Sequence, residues 1–462
     1  MSERLQRFRK LMAAFEGTSN PQHAIERGFY VDLPHNPMAE ITRRIEVRPA
    51  SLHLLLGGIG SGKTTQLLLA QEHLNQLEGF NAIYVDVSLY TDISKIERGA
   101  LIAIAGLEII KFLDDKKQSD LLLSQYVQAV YDSARGNKKT KEAQFPIPDT
   151  LKKLEKHLED DLKNRIFPGY RPEKTEDKNK FEKDKFQQDK LQISQQLLEI
   201  YKLKYALITE NKGDDKAFNS KGLLVSQNQE VDNKLIEAFS NLSKSALEKN
   251  GEIVFILDGL DRLNNSQIFI DSVFNDVMEI LEFGVGVVLI GSIPIAYQKG
   301  IEKFSSYLHY FPYLNVAEDA EARRFFLNIL TIRDSDNFIT SEAKDFLITE
   351  SGSVLRDLMS LTQSAIEEAY VDGSDNVKLE HAEQAVASFA RSKFMGLTDT
   401  SLETLQKVIS QKTFTPRTPE ELELLLTGHI LEYTHPRKHF AVHPVLVPLI
   451  QEENKNLSVA HG

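Results

Sequence analysis

The stretch "LHLLLGGIGSGKTT", Leu52 to Thr65, decides the fold. A leucine-rich run over 52–56 gives way to Gly57, Gly58, Gly60 and Gly62, and then to Lys63, Thr64 and Thr65. A short apolar run that stops at glycines predicts a buried strand. Gly57, Gly62, Lys63 and Thr64 fit the pattern G-x-x-x-x-G-K-[ST]. Phosphate oxygens are best held by several backbone N–H groups that converge, and glycine permits both the turn and the close approach. The next segment repeats Leu67, Ala70, Leu74 and Leu77 at helical spacing, with Gly79 as the expected C-cap. Its amino end would add unpaired N–H groups and a favourable dipole. The expected phosphate cradle is Gly57, Gly58, Gly60, Ser61, Gly62, Lys63, Thr64 and Thr65. Lys63 would reach the β- and γ-phosphates, and the Thr64 hydroxyl would ligate Mg²⁺.

Outward from this loop, "NAIYVDVS" (81–88) reads as another buried strand. Strand, helix and strand over this length make a βαβ unit and hence a parallel sheet. Buried strands return at "EIVFILD" (252–258) and "GVGVVLIGS" (284–292). Asp258 ends an apolar strand, and strand C-termini collect at the ligand edge of a parallel sheet. It is expected to face Mg²⁺, directly or through water. Asp261 has two readings. It orients or deprotonates the attacking water, or it caps a helix starting near Arg262.

Between these parts, residues 112–250 form a long polar insertion. Its centre, 171–190, carries seven basic and six acidic side chains and reads as a solvated helix or flexible linker. From about 316 onward the pattern is helical. In the last part, two short apolar stretches around "THPRK" predict a β-hairpin. Residues 1–50 read as polar and helical, then extended around "GFYVDLP", with Pro34 and Pro37 as punctuation.

With 462 residues the chain has room for two or three cores. It contains no cysteine, which excludes disulfides and thiolate metal sites and fits a cytoplasmic location. No apolar run reaches the roughly 18 residues of a membrane span, and the start shows no secretory signal. A net charge of −12 argues against a nucleic-acid coat.

"GGIGSGKTT" together with "IVFILDGLDRL" (253–263) resembles the additional-strand P-loop ATPases, within them the STAND/NACHT and AAA+ groups. The likeness covers about 50–95 and 250–450. It implies ATP or ADP as ligand. The DGLDR form is closer to STAND proteins: Gly259 stands where AAA+ proteins carry a glutamate, and Asp261 is the later acidic residue. "SGSVLRDLMSL" (351–361) resembles the lid helix of origin-recognition-type AAA+ proteins, which makes Arg356 a sensor, against the reading of a surface arginine. Ser292 falls at the sensor-1 strand end, where a plain turn residue is the alternative. Arg323 and Arg324 read as solvated lid residues or as arginine fingers toward a neighbouring subunit. Residues 421–450 resemble a winged helix. His443 falls where STAND proteins place a histidine on the β-phosphate of ADP; it reads equally as an N-cap before Pro444.

The expected organisation is therefore α/β: a P-loop NTPase core (51–111 and 251–312), preceded by a helical or linker segment (1–50) and interrupted by the insertion (112–250). A helical lid (313–397) and a winged-helix domain (398–462) follow. The expected function is an ATP-binding, slowly hydrolysing switch that oligomerises or recruits a separate effector protein. The alternative is a DNA-associated AAA+ regulator contacting duplex through Arg437 and Lys438.

Overall fold

A computed structural model of the chain describes residues 3–16, 21–116, 126, 129–130, 133, 229–263 and 265–460. Five strands form one parallel sheet: β1 (Leu52–Gly57), β2 (Phe80–Asp86), β3 (Glu252–Asp258), β4 (Gly286–Gly291) and β5 (Leu308–Phe311). Their order is β2-β3-β4-β1-β5, and every neighbouring pair is parallel. The additional strand β4 thus separates the glycine-loop strand from the strand that ends in Asp258.

The central strands are apolar without alternation because helices cover both faces. Leu52, Leu54 and Leu56 pack into a core with α5 (Ala100–Asp115) and α6 (Gln229–Asn250), while Leu55 packs on the opposite face against α3 (Pro37–Val47) and α4 (Lys63–Asn75). Asp276, at the start of α7 (Asn275–Glu282), accepts the N–H groups of Gly99 and Leu101 at 2.7 and 3.0 Å. It therefore caps α5 from a neighbouring helix.

Three local expectations are corrected. The strand expected over 81–88 is an edge strand with only Ala82 and Val85 buried, and it stops at Asp86. There Asp86 accepts the Ser88 N–H and opens a short turn. Helix α4 ends at Asn75, with Gln76 as C-cap. Gly79, at φ +75°, instead turns the chain into β2, and its carbonyl accepts the Glu252 N–H at 2.7 Å. No helix starts at Arg262. A single 3₁₀ turn spans Leu260–Arg262 after Gly259, whose φ of +87° redirects the chain, and Asp261 lies inside it.

A second body of helices follows the sheet: α8 (Ala320–Arg333), α9 (Ser341–Glu350), α10 (Leu355–Asp372) and α11 (Leu379–Phe394). Next come α12 (Asp399–Gln411), α13 (Pro419–Leu426), the hairpin β6–β7 (Ile430–Tyr433 and His439–Val442) and α14 (Val447–Ala460). The hairpin is antiparallel, pairing Ile430 with Val442 and Tyr433 with His439. One continuous core joins all of these and takes in Phe8, Leu11 and Phe15 of α1 (Glu3–Phe15). The N-terminal segment thus packs on both bodies, α1 among the C-terminal helices and α3 on the sheet. Residues 27–36 run between α2 (Pro21–Glu26) and α3. Among the described residues, no helix is long and apolar enough to cross a membrane. The charged stretch 171–190 lies outside the described residues.

Candidate functional site

The site forms where the sheet's C-terminal edge meets the amino ends of α4 and α10. Gly60 and Gly62 adopt φ of +81° and +99°, a region open to glycine and costly for other residues. A Cβ at Gly60 would stand 2.9 Å from the Arg356 Cβ, and one at Gly62 would stand 2.8 Å from Leu355 Cδ1. The start of α10 therefore closes directly on the loop, and the Arg356 N–H donates to the Gly60 carbonyl at 3.3 Å. Behind the loop, Gly58 lies against the buried Tyr313, whose hydroxyl donates to the Ile59 carbonyl at 2.9 Å.

Lys63 is only 4% exposed. Its ammonium donates to the carbonyls of Gly58 and Gly57 at 2.7 and 3.2 Å, and it pairs with Asp261 Oδ2 at 2.8 Å. A buried cation needs such a partner, and here an acidic side chain supplies it. Next to it, Asp258 Oδ2 accepts two hydroxyls, from Thr64 at 2.7 Å and from Tyr84 at 2.9 Å. Asp258 Oδ1 accepts the Gly259 N–H at 2.7 Å. Burial pushes the Asp258 carboxyl above the usual range; the Thr64 bond holds part of that back, and the Asp261 charge adds to it. Burial, with Asp258 beside it, also raises the Tyr84 phenol and keeps it a donor.

These residues face a cavity of about 950 Å³. Gly60 to Thr65 line it, as do Tyr84, Asp86, Asp258, Asp261 and Arg262. Leu355, Arg356 and Met359 of α10 form a second wall, and Phe29, Tyr30 and Arg333 a third. The Arg333 guanidinium sits 5.0 Å over the Phe29 ring and donates to the Phe29 and Ile329 carbonyls, both at 3.1 Å. Burial lowers its pKa to about 10, which leaves it charged at neutral pH.

Of the residues singled out in the sequence, the structure brings Gly60, Ser61, Gly62, Lys63, Thr64, Thr65, Asp258, Asp261 and Arg356 to this cavity. Gly57 and Gly58 support the loop from behind, against Phe311 and Tyr313. Ser292 is buried and does not line the cavity; it opens the 3₁₀ turn Ile293–Tyr297, its carbonyl accepting the Ile295 N–H. His443 does not line it either. Its ring is fully buried and Nε2 lies 3.1 Å from Asp357 Oδ2. It precedes a 3₁₀ turn opened by Pro444, but its side chain makes no capping bond. Arg323 pairs with Asp345, and Arg324 is exposed beside Glu321.

Sequence reasoning passed over Tyr84, Asp86, Arg262, Arg333 and the 29–33 wall. Asp86 carried a usable signal: it ends an apolar strand as Asp258 does, and the two are register partners. Arg333 carried none, since a helix arginine reaches this cavity only through tertiary packing.

The KAP family P-loop domain matches residues 38–290 of the chain. No curated protein matches it. Similar solved structures include the ORC1 protein of Aeropyrum pernix in complex with DNA, 14% identical over 93% of this chain and 96% of that one, with a TM-score of 0.36. Drosophila ORC bound to DNA is 11% identical over 91% of this chain and 87% of that one, with a TM-score of 0.34. Cdc6p from Pyrobaculum aerophilum is 11% identical over 92% and 96%, with a TM-score of 0.35.

Proposed function

The chain belongs to the KAP family of P-loop NTPase domains, and from that premise we propose that it is an ATP-binding, slowly hydrolysing switch that signals by changing conformation or by oligomerising. One observation carries the reading: a single cavity is lined by the glycine loop, the start of α10 and the N-terminal segment. A ligand that touches all three biases their packing, and a shift from 1:99 to 99:1 takes about 5.5 kcal/mol of differential affinity. Contacts from Lys63, Arg356, Arg333 and the loop amides together reach that scale, whereas one contact would not. The cavity also matches the roughly 300–1,000 Å³ of small-molecule sites.

The donor set suits magnesium. Thr64 Oγ1 and Asp258 Oδ2 are hard oxygens at 2.7 Å from one another, and a divalent cation would relieve the buried Asp258 charge. Thr64 and Asp258 are the residues that would hold it, and when bound it would neutralise charge on the β- and γ-phosphates. Lys63 would exchange Asp261 for phosphate oxygens. Asp261, released from its ion pair, would then stand beside the loop as acceptor for the proton of the attacking water. Gly259 puts no carboxylate directly after Asp258, which supports slow turnover. Arg356 would answer the γ-phosphate from the lid.

The C-terminal pair of helices with its hairpin supports a winged-helix reading, but the tip does not favour DNA. Lys438 already pairs with Glu432 at 2.7 Å and lies within 6 Å of the Tyr297, Tyr310 and Phe440 rings. Arg437 is exposed beside it; one cation left at the tip of a chain of net charge −12 makes a second copy or a separate effector protein the favoured partner. Size-exclusion with light scattering in apo, ADP and non-hydrolysable ATP states, with and without duplex DNA, tests the proposal. A mass or radius that changes with nucleotide supports it. Identical profiles in all states reject it, and a shift only with duplex would favour the DNA reading.

A further inference from the structure

Three parts of the chain that are far apart in sequence meet away from the nucleotide cavity. His35 sits in the segment that leads from the cavity wall to α3, Asp319 is the N-cap of α8, and His435 lies at the tip of the β6–β7 hairpin. One ligand atom from each lies within 4.8 Å of the others. His35 Nε2 is 3.4 Å and His435 Nε2 is 3.9 Å from Asp319 Oδ2. For tetrahedral zinc with bonds of about 2.0–2.1 Å, neighbouring ligand atoms stand about 3.3 Å apart. The His35 spacing already stands at that value, and the His435 ring, whose centroid lies 4.0 Å from that of His35, has to turn to bring its Nε2 in.

The Asp319 carboxylate gives the independent signal. Oδ1 caps α8, accepting the N–H groups of Glu321 and Ala322 at 2.9 and 3.2 Å. Oδ2 is buried and has no hydrogen-bond partner, and the side chain is 9% exposed. A buried carboxylate oxygen without a donor is costly, and a cation is what relieves it. Both imidazoles face it, and both stay 39% and 46% exposed, so an ion has a path in. Glu321, whose Oε2 is 4.0 Å from His35 Nε2, stands ready at the exposed side.

We propose that His35, Asp319 and His435 form a zinc site that clasps the N-terminal segment to the C-terminal hairpin and the start of α8. Two neutral imidazoles and one carboxylate are borderline donors, which suits Zn²⁺ and not Mg²⁺ or Ca²⁺. The fourth position belongs to water or Glu321. His35 lies two residues beyond Leu33 of the cavity wall, so, on the nucleotide-binding reading proposed above, the clasp also fixes a segment that lines the nucleotide site.

Titration of the metal-free, full-length chain with Zn²⁺ by calorimetry tests this, with His35→Gln, His435→Gln and Asp319→Asn alongside. Asp319→Asn keeps the capping oxygen while replacing the free one, so it separates the metal role from folding. The expected result is one zinc per chain, a raised melting temperature, and binding at least tenfold weaker in each variant. X-ray absorption at the zinc edge of the wild type should show two imidazoles with oxygen completing the shell. No saturable binding, binding unchanged in any one variant, or a shell without two imidazoles would overturn the site.

Discussion

Lys63 Nζ and Asp261 Oδ2 lie 2.8 Å apart, with both side chains largely buried, at 4% and 13% exposure. The loop's only cation is thus neutralised by the very carboxylate proposed to handle water. The pair must open before a phosphate can take the lysine. Asp261→Asn therefore separates two effects. Nucleotide should bind as tightly as in the wild type or tighter, because no ion pair has to break. Phosphate release should fall by about 10²–10⁴-fold, the usual contribution of a positioned base. Calorimetry and steady-state phosphate release measure the two. Unchanged turnover would leave the pair with a structural role alone.

Lys63→Ala removes the other half of the pair. Nucleotide at 100-fold above Kd stabilises a protein by about 2.7 kcal/mol. That stabilisation should vanish in the variant, read as the shift in melting temperature on adding ATP or ADP with magnesium. A variant stabilised as much as the wild type would put the nucleotide elsewhere.

The sheet was legible because its signals are local. Apolar runs ending in glycine or aspartate gave β1, β3 and β4 with nearly correct limits, and the glycine spacing gave the loop. Strand β5, "LHYF", was missed: it is four residues long at the sheet edge, and only Phe311 is buried. The cavity was half legible. Its glycine-loop end follows from loop and strand-end chemistry, but the Phe29, Tyr30 and Arg333 wall arises where α1 and its following segment fold back on α8. Residues some 300 positions apart leave no joint pattern in one sequence. His443 shows the reverse case: the resemblance offered a nucleotide contact and the residue pattern an N-cap, yet packing turns its ring onto Asp357.

That packing yields a discriminating test of His443. Its Nε2 lies 3.1 Å from Asp357 Oδ2, and Asp357 follows Arg356 at the cavity. Burial lowers the histidine's pKa, against the opposing bond from Asp357. His443→Ala leaves Asp357 paired with Lys393, 3.8 Å away, and should cost about 2–3 kcal/mol. In this arrangement the effect travels through α10 to Arg356, so ATP should weaken at least as much as ADP. A loss confined to ADP would instead mean that the hairpin swings onto the nucleotide. Parallel ADP and ATP titrations decide between them.

His53 sets an acid limit. It is buried in β1, with Nδ1 3.1 Å from His309 Nε2 and Nε2 3.0 Å from Ser51 Oγ. Burial, with His309 beside it, lowers its pKa to about 4. The unfolded chain takes up this proton near pH 6.5, and the folded one only near 4. The unfolded state therefore binds more protons across that window, and stability falls as pH drops from 6.5 to 4. The loss from this group is at most about 3 kcal/mol. His53→Asn should flatten the difference. Denaturant midpoints of both proteins at steps between pH 7 and 4 measure it, and parallel curves would contradict the assignment.

Gly58 and Tyr313 make the loop's backing, and a double-mutant cycle tests it. A Cβ at Gly58 would stand 2.1 Å from the ring and hydroxyl of Tyr313, which is impossible without movement of one or the other. Gly58 has no positive φ, so the conflict is one of space and not of backbone strain. Gly58→Ala should cost about 1–3 kcal/mol through overpacking and should weaken nucleotide binding as the loop shifts. Tyr313→Phe alone removes the bond to the Ile59 carbonyl and should cost about 1 kcal/mol. It removes the hydroxyl but keeps the ring, whose Cζ would still stand 2.1 Å from the new Cβ, so the alanine should keep most of its cost in that background. Tyr313→Leu makes room, and there the alanine should cost almost nothing. A coupling energy large with Leu and small with Phe assigns the glycine to the ring's bulk. Equal costs in all three backgrounds would mean that the loop yields freely, and that Tyr313 does not set its shape.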